Sequence, residues 1–333
     1  MTGSCHLTLT APHMILIATD EAGYGPKLGP LVVAASAWKI PINTADRSDL
    51  QRAFAAVAGP VTVAGRRVVV DDSKTVFQPR SATKKSGGYG KLECVTLAGA
   101  RWCGLADGRL DIVDDLAPQD RARINAAPWL AGLMKQSIET KQGSPLIDAW
   151  QSGGAILSGL KARVVTAEAF NQACAAGGNK SDLLSQTTLT LVKDLLDELS
   201  ISSGEPVAVF CDRHGGRRYY AGPLQSVFEG TLVRVIAESK TESSYTVPYR
   251  GDEFTIRFTV KGDSFTPVAF SSMVAKYMRE KAMESLNTYF ADLSTVPLRP
   301  TAGYPVDADR FLEDIGPIIQ KQGFDLATLV RSR

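Results

Sequence analysis

The sequence has no closely paired cysteines, no long apolar run and almost no imbalance of charge, and each absence narrows what the chain does. Its five cysteines, Cys5, Cys94, Cys103, Cys174 and Cys211, are odd in number, and no two stand in a CxxC spacing. Neither a disulfide framework nor a zinc site is implied, and reduced, mostly buried thiols are expected. No stretch approaches the roughly 18 apolar residues of a membrane span. The first thirteen residues carry no Lys or Arg ahead of an apolar run, so a secretory signal is not expected and the cytoplasm is the predicted compartment. Lys and Arg number 37 against 35 Asp and Glu, a net charge of +2. That excludes a binder driven by overall charge, but not nucleic acid, because a basic groove and an acidic metal pocket nearly cancel in the sum.

What is present is a globular composition. With 333 residues, 44% of them hydrophobic, the chain can bury a sizeable core without disulfides. Residues 1–13 read as a flexible leader. Met14–Thr19 is an apolar, β-prone run ending in Asp20–Glu21, and Gly23, Gly25, Pro26, Gly29 and Pro30 then punctuate a turn before a second apolar strand over Leu31–Trp38. Arg67–Val70 reads as a third strand, running into Asp71–Asp72–Ser73–Lys74. Residues 78–160 differ in texture, with loop signals at Ser86–Gly90 and Gln151–Gly154, and are expected to form an inserted α+β subdomain. Arg163–Thr166 is strand-like, Glu168–Ala176 and Ser181–Leu199 are helical, and Pro206–Cys211 is a short apolar strand ending at Asp212. Strands are expected within Glu229–Ile236 and, turned at Arg250–Gly251–Asp252, within Tyr245–Val260. A helix is expected from Pro267 to about Phe290 with Thr266 as N-cap, and a last one over Phe311–Lys321. The expected fold is α/β, a mixed β-sheet flanked by helices.

The carboxylates stand in a pattern. Asp20–Glu21 follows one apolar strand, Asp212 ends another, and Asp263 lies between a strand and a helix start. Any one of them reads as an ordinary turn or cap residue. Several converging at one sheet edge make a site for hard divalent cations, and two such ions support phosphodiester cleavage.

Motifs around these acids resemble one family. Asp20–Pro30 (DEAGYGPKLGP), continuing LVVAA, resembles the opening motif of the type 2 ribonucleases H, the ribonuclease HII and HIII family. Asp72–Ser73–Lys74 resembles its DSK element, Ala169–Thr188 its Asn-containing helix, and Val209–Gly215 (VFCDRHG) the place of its strand-ending Asp. Lys261–Glu280 (KGDSFTPVAFSSMVAKYMRE) is the nearest match, and Gly303–Tyr304–Pro305 resembles its C-terminal element. The matches cover residues 14–77 and about 163–333, in the family's order.

The resemblance implies a ribonuclease H-like catalytic domain from 14–77 and 161–333, interrupted by the 78–160 insertion. It implies Asp20, Glu21, Asp212 and Asp263 as catalytic, metal-holding acids for two divalent ions, Mg²⁺ or Mn²⁺. Gly23, Tyr24, Gly25, Lys74, Arg213, Lys276 and Tyr304 would contact substrate. The implied activity is endonucleolytic hydrolysis of the RNA strand of an RNA–DNA hybrid, leaving 3′-hydroxyl and 5′-phosphate ends, by a monomer without membrane attachment. A ribonucleotide-containing duplex is the related partner. The chain departs from the family's Gly-Arg-Gly, which is Gly23–Tyr24–Gly25 here, and from its Asp-Gly-Asn after the third acid, which is Asp212–Arg213–His214. These departures suggest a second reading, a nucleic-acid-binding paralogue with lost or redirected nuclease activity. The four carboxylates favour the enzyme. His214, beside Asp212, has the reach of a proton shuttle, although an exposed loop position is its simpler reading.

Overall fold

A computed structural model of the chain describes residues 13–41, 47–77, 88–105, 109–139 and 144–332. The expected leader apart from His13, and Lys84 and Lys85 of the insertion, lie outside the described residues. Seven strands form the main sheet: β1 (His13–Ala22), β2 (Leu31–Pro41), β3 (Ile156–Val165), β4 (Val207–Asp212), β5 (Arg234–Glu238), β6 (Glu242–Tyr249) and β7 (Asp252–Thr259). Their order is β3-β2-β1-β4-β7-β6-β5. β1 runs antiparallel to β2 and parallel to β4, and β4 runs parallel to β7. This is the mixed sheet of an α/β protein expected from the sequence.

The residues of β1 explain why the sheet is covered on both faces. Leu16 and Ala18 belong to one buried cluster, Ile15 and Ile17 to the other, and all four are fully shielded. Alternation of side chains along a strand sends them to opposite faces, so a run of apolar residues needs a layer on each. On one face lies α4 (Lys180–Glu198), with Leu184, Leu191 and Leu195 inward, started by a capping box in which Asn179 and Asp182 satisfy each other's backbone. On the other lies the long helix α6 (Thr266–Leu293). Thr266 is its first helical residue rather than its cap; its hydroxyl accepts from the Gln51 side-chain amide at 3.1 Å.

α6 is buried almost all round, as a helix with cover on both sides must be. Ser271 donates to the Ala18 carbonyl at 2.9 Å and meets Ser36 of β2 at 2.9 Å, which docks the helix on the sheet. Its outer side is covered from within residues 78–160: helix α1 (Tyr89–Trp102) brings Gly99 against the Phe270 ring, and Ser285 donates to the Trp129 carbonyl at 2.9 Å. Asp120 of this segment is buried and accepts from the Arg163 guanidinium at 3.0 and 3.2 Å and from Val164 N at 2.7 Å, both on β3. The boundary drawn at residue 160 therefore falls inside β3, and the segment shares one buried cluster with α6. The strand expected at Arg67–Val70 is Arg66–Val68, which pairs with Val61–Val63 in a small separate hairpin. The third strand of the main sheet is β3, whose first half lies before that boundary.

Two further helices close the structure, α7 (Pro305–Gln322) and the single turn α8 (Leu326–Leu329). The chain after α8 bridges Leu28 through Val330, and Arg331 N donates to the Lys27 carbonyl at 3.0 Å. The tail thus clamps the Gly23–Pro30 turn.

Candidate metal and nucleic-acid site

Two parallel neighbours bring the acids together. Thr19 of β1 pairs with Cys211 of β4, so Asp20 and Asp212 lie side by side just past the last paired residues of these two strands, at their carboxyl ends. Ligands of α/β sheets bind outside such ends. Carboxylate oxygens of Asp20, Glu21 and Asp212 lie within 4.8 Å of one another. Asp20 is 7% exposed, and Glu21 and Asp212 are half-buried.

The surrounding backbone fixes them. Asp212 Oδ1 accepts from Gly262 N at 2.7 Å, and a Cβ at Gly262 would stand 2.9 Å from Asp212 Cα. Only glycine allows the turn after β7 to approach this closely. Asp263 follows on that turn. It is not one of the three clustered carboxylates, but stands beside Asp72 and close enough to Asp212 to feel its charge. Asp72 caps the helical turn Ser73–Val76 by accepting from Lys74 N at 2.8 Å, and its carboxylate stands close enough to Asp263 to raise it. Lys74 Nζ lies 3.9 Å from Asp263 Oδ2. Ser73 Oγ is 2.9 Å from Ser272 Oγ of α6, and Ser272 hydrogen-bonds the Asp20 carboxylate.

Desolvation and mutual repulsion dominate the electrostatics. Burial holds Asp20 well above the ordinary carboxylate range, with the Glu21 and Asp212 charges adding to it. Glu21 is pushed up to about 7, by burial first and then by Asp212. Asp212 is raised by burial against the lowering bonds from Gly262 and Arg213 N–H, and Asp263 by burial, Asp72 and Asp212. Such a cluster favours any added positive charge. The donor set is all carboxylate oxygen, which suits hard divalent cations and not softer metals.

No protein-family model matches the chain, and no curated protein matches it. Solved structures do. One is the ribonuclease H2 of Pyrococcus horikoshii OT3, 16% identical, with 95% of this chain and 92% of that one covered at a TM-score of 0.42. Another is Bst-RNase HIII in complex with Mn²⁺, 15% identical, covering 97% and 67% at 0.43. A third is the PCNA:RNase HII complex of Archaeoglobus fulgidus, 15% identical, covering 96% and 95% at 0.40. The chain is similar to type 2 ribonucleases H. The similarity runs over nearly its whole length at low identity.

The residues singled out for substrate contact fall into different surroundings. Gly23 has φ +90° and lies against Arg279, whose Nε would be 2.5 Å from a Cβ there, so no other residue fits without displacing it. Gly25 is exposed with open space around it. The Tyr24 ring lies under Lys180 Nζ, 5.1 Å from its centroid, and its hydroxyl bonds Ser181. Lys74 faces the acids. Arg213 does not: its guanidinium donates to the carbonyls of Lys240 at 2.6 Å and Ser239 at 3.1 Å, holding the turn between β5 and β6. Lys276 pairs with Glu280 at 2.7 Å and lies over the Phe77 ring. Tyr304 stands at the N-cap of α7, 54% exposed.

His214 is neither exposed nor a shuttle. It is buried, its Nδ1 3.0 Å from Ser185 Oγ, and burial lowers it to about 3, so it is neutral at physiological pH. Sequence reasoning left three contributors out of the site. Asp72 and Ser73 stood in the DSK element and Ser272 in the Ser-rich helix, and their long-range contacts show them to be part of it.

Proposed function

We propose that the chain is a divalent-metal-dependent endoribonuclease that hydrolyses the RNA strand of RNA–DNA hybrids, leaving 3′-hydroxyl and 5′-phosphate ends. The observation that carries this reading is the trio Asp20, Glu21 and Asp212, three desolvated carboxylates within 4.8 Å at the ends of adjacent parallel strands. Asp20, Glu21 and Asp212 would hold one cation, with Asp263 on the neighbouring turn serving a second. Two divalent ions, Mg²⁺ or Mn²⁺, supply when bound an activated water and stabilisation of the leaving oxygen. The protein's own part is to gather and orient the carboxylates. Ser272 donates to Asp20, Gly262 N–H to Asp212, and the Asp72-capped turn sets Lys74 beside Asp263.

On the substrate side, Gly25 stands open on the turn that follows Asp20 and Glu21, and Tyr304 presents its ring from the start of α7. Stacking on a sugar or base and backbone contact suit a single nucleotide held at the scissile phosphate. Lys74 would add a phosphate contact that is independent of sequence. No helix among the described residues is long and apolar enough to cross a membrane.

One gel tests the proposal. A labelled hybrid, a duplex with one ribonucleotide and plain DNA are each incubated with the protein in Mg²⁺ and in Mn²⁺. Cutting of the RNA strand alone, abolished by EDTA, is the expected result. Binding without cutting in either metal would favour the paralogue with lost nuclease activity.

A further inference from the structure

Lys74 stands where a cation would relieve the cluster, yet it is held loosely. Its side chain is 85% exposed, it rises from a four-residue helical turn, and its ion pair with Asp263 is long at 3.9 Å. Glu21, Asp212 and Asp263 all respond to its charge, and it responds in turn to Asp20, Asp72, Asp212 and Asp263. Three other cations of the surrounding elements are engaged elsewhere. Lys276 pairs with Glu280, Arg279 donates to the Ala302 carbonyl at 3.0 Å and lies 3.6 Å from Glu280, and Arg213 holds the β5–β6 turn.

We propose that Lys74 is a displaceable internal counter-ion: its ammonium balances the carboxylates of the metal-free protein and competes with the divalent cation for them. The inference rests on the reading of the cluster as a cation site and goes beyond it by assigning a regulatory cost to the neighbouring lysine. A monovalent ammonium beside carboxylates lowers their repulsion, but it also repels an entering divalent ion. An exposed four-carbon stem on a short turn lets it swing outward when that ion arrives. The balance sets a threshold, so that the site fills only when free metal is plentiful. Displaced outward, the same ammonium becomes free to meet a substrate phosphate. Metal loading and phosphate capture would thereby be coupled through one side chain.

The test measures metal binding with no nucleic acid present. Mn²⁺ affinity is determined by titration calorimetry, and independently by loss of the free-ion electron paramagnetic resonance signal, for the wild type, Lys74→Gln and the control Lys321→Gln. The control removes the same charge from the exposed last turn of α7. Lys74→Gln is expected to bind Mn²⁺ about fivefold more tightly at low salt, the factor equivalent to the roughly 1 kcal/mol of a unit-charge pair about 4 Å apart in water, which the wild type gives up when the ammonium leaves Asp263, and the gain should shrink as salt is added. Lys321→Gln should match the wild type. Equal or weaker Mn²⁺ binding by Lys74→Gln overturns the counter-ion while leaving the metal site standing. Absence of Mn²⁺ binding in all three proteins would overturn the metal site itself, and the counter-ion with it.

Discussion

Ser73 and Ser272 stand 199 positions apart in the chain and share a 2.9 Å hydrogen bond in the interior. Ser272 in turn hydrogen-bonds Asp20, so the turn after the small hairpin, the long helix α6 and the end of β1 are joined at the carboxylate. This relay orients Asp20 and lowers the cost of its charge. A hydrogen bond to a charged group contributes about 1.5–3 kcal/mol. Ser272→Ala is therefore expected to reduce metal-dependent hybrid cleavage about tenfold or more, with a weaker Mn²⁺ affinity and a folded protein. A single-turnover rate equal to the wild type would remove the relay from the account.

The repulsion within the cluster has a pH signature. Glu21 is pushed up to about 7 from an ordinary 4.5. A raised carboxylate contributes stability that is fully present below the unfolded value and is lost as pH rises through the folded one. In EDTA, the melting temperature of Glu21→Gln relative to wild type should therefore be near its minimum at pH 4.5. It should climb between pH 4.5 and 7 and level off above. His214, lowered to about 3, destabilises the fold as pH falls below 6.5, but it does so in both proteins and cancels in the difference. A difference that is flat across this range would contradict the burial and charge assigned to Glu21.

Much of this site was legible in the sequence. Acidic residues at the ends of apolar runs are a local signal, and Asp20, Glu21 and Asp212 needed only the β1–β4 pairing to converge. What was not legible depends on contacts between distant segments. Arg213 follows a site carboxylate directly, yet its guanidinium reaches the carbonyls of Ser239 and Lys240 instead. His214 is a loop residue by position, but the aromatic rings of Tyr220 and Phe258 enclose it. The tail clamp of Val330 and Arg331 on Leu28 and Lys27 has no local pattern at all. The texture of residues 78–160 suggested something separate because its elements are short, whereas the need to cover the outer side of α6 is visible only once that helix is seen to be buried all round.

The segment 78–160 is expected to fold with the sheet and not apart from it. Asp120→Ala would strand the Arg163 guanidinium, which is 19% exposed, and the Val164 N–H. Loss of about 2–3 kcal/mol is expected, below the roughly 3–5 kcal/mol of a fully buried pair. Replacing residues 80–158 by a Gly/Ser linker removes the start of β3 and bares α6, so an insoluble product is expected. A soluble, metal-binding deletion would show that the segment is dispensable.

Tyr24 is expected to set a preference among substrates. Its ring is occupied with Lys180 and its hydroxyl with Ser181, and tyrosine cannot hold a phosphate as arginine does. Long hybrids should be cut faster than a duplex with one ribonucleotide, and Tyr24→Arg should move the ratio toward the single ribonucleotide. The assignment of position 24 fails if the wild type already favours that junction.

The most direct measurement is the rate of RNA-strand cleavage in a labelled hybrid by the wild type and by Asp212→Asn, side by side in Mn²⁺, with melting curves to show that both are folded. The asparagine keeps the shape of the side chain and removes one anionic donor from the trio. The wild type should cut, and Asp212→Asn should lose about a thousandfold in rate, equivalent to ~4 kcal/mol of transition-state stabilisation. Equal cleavage by the two proteins would contradict the account.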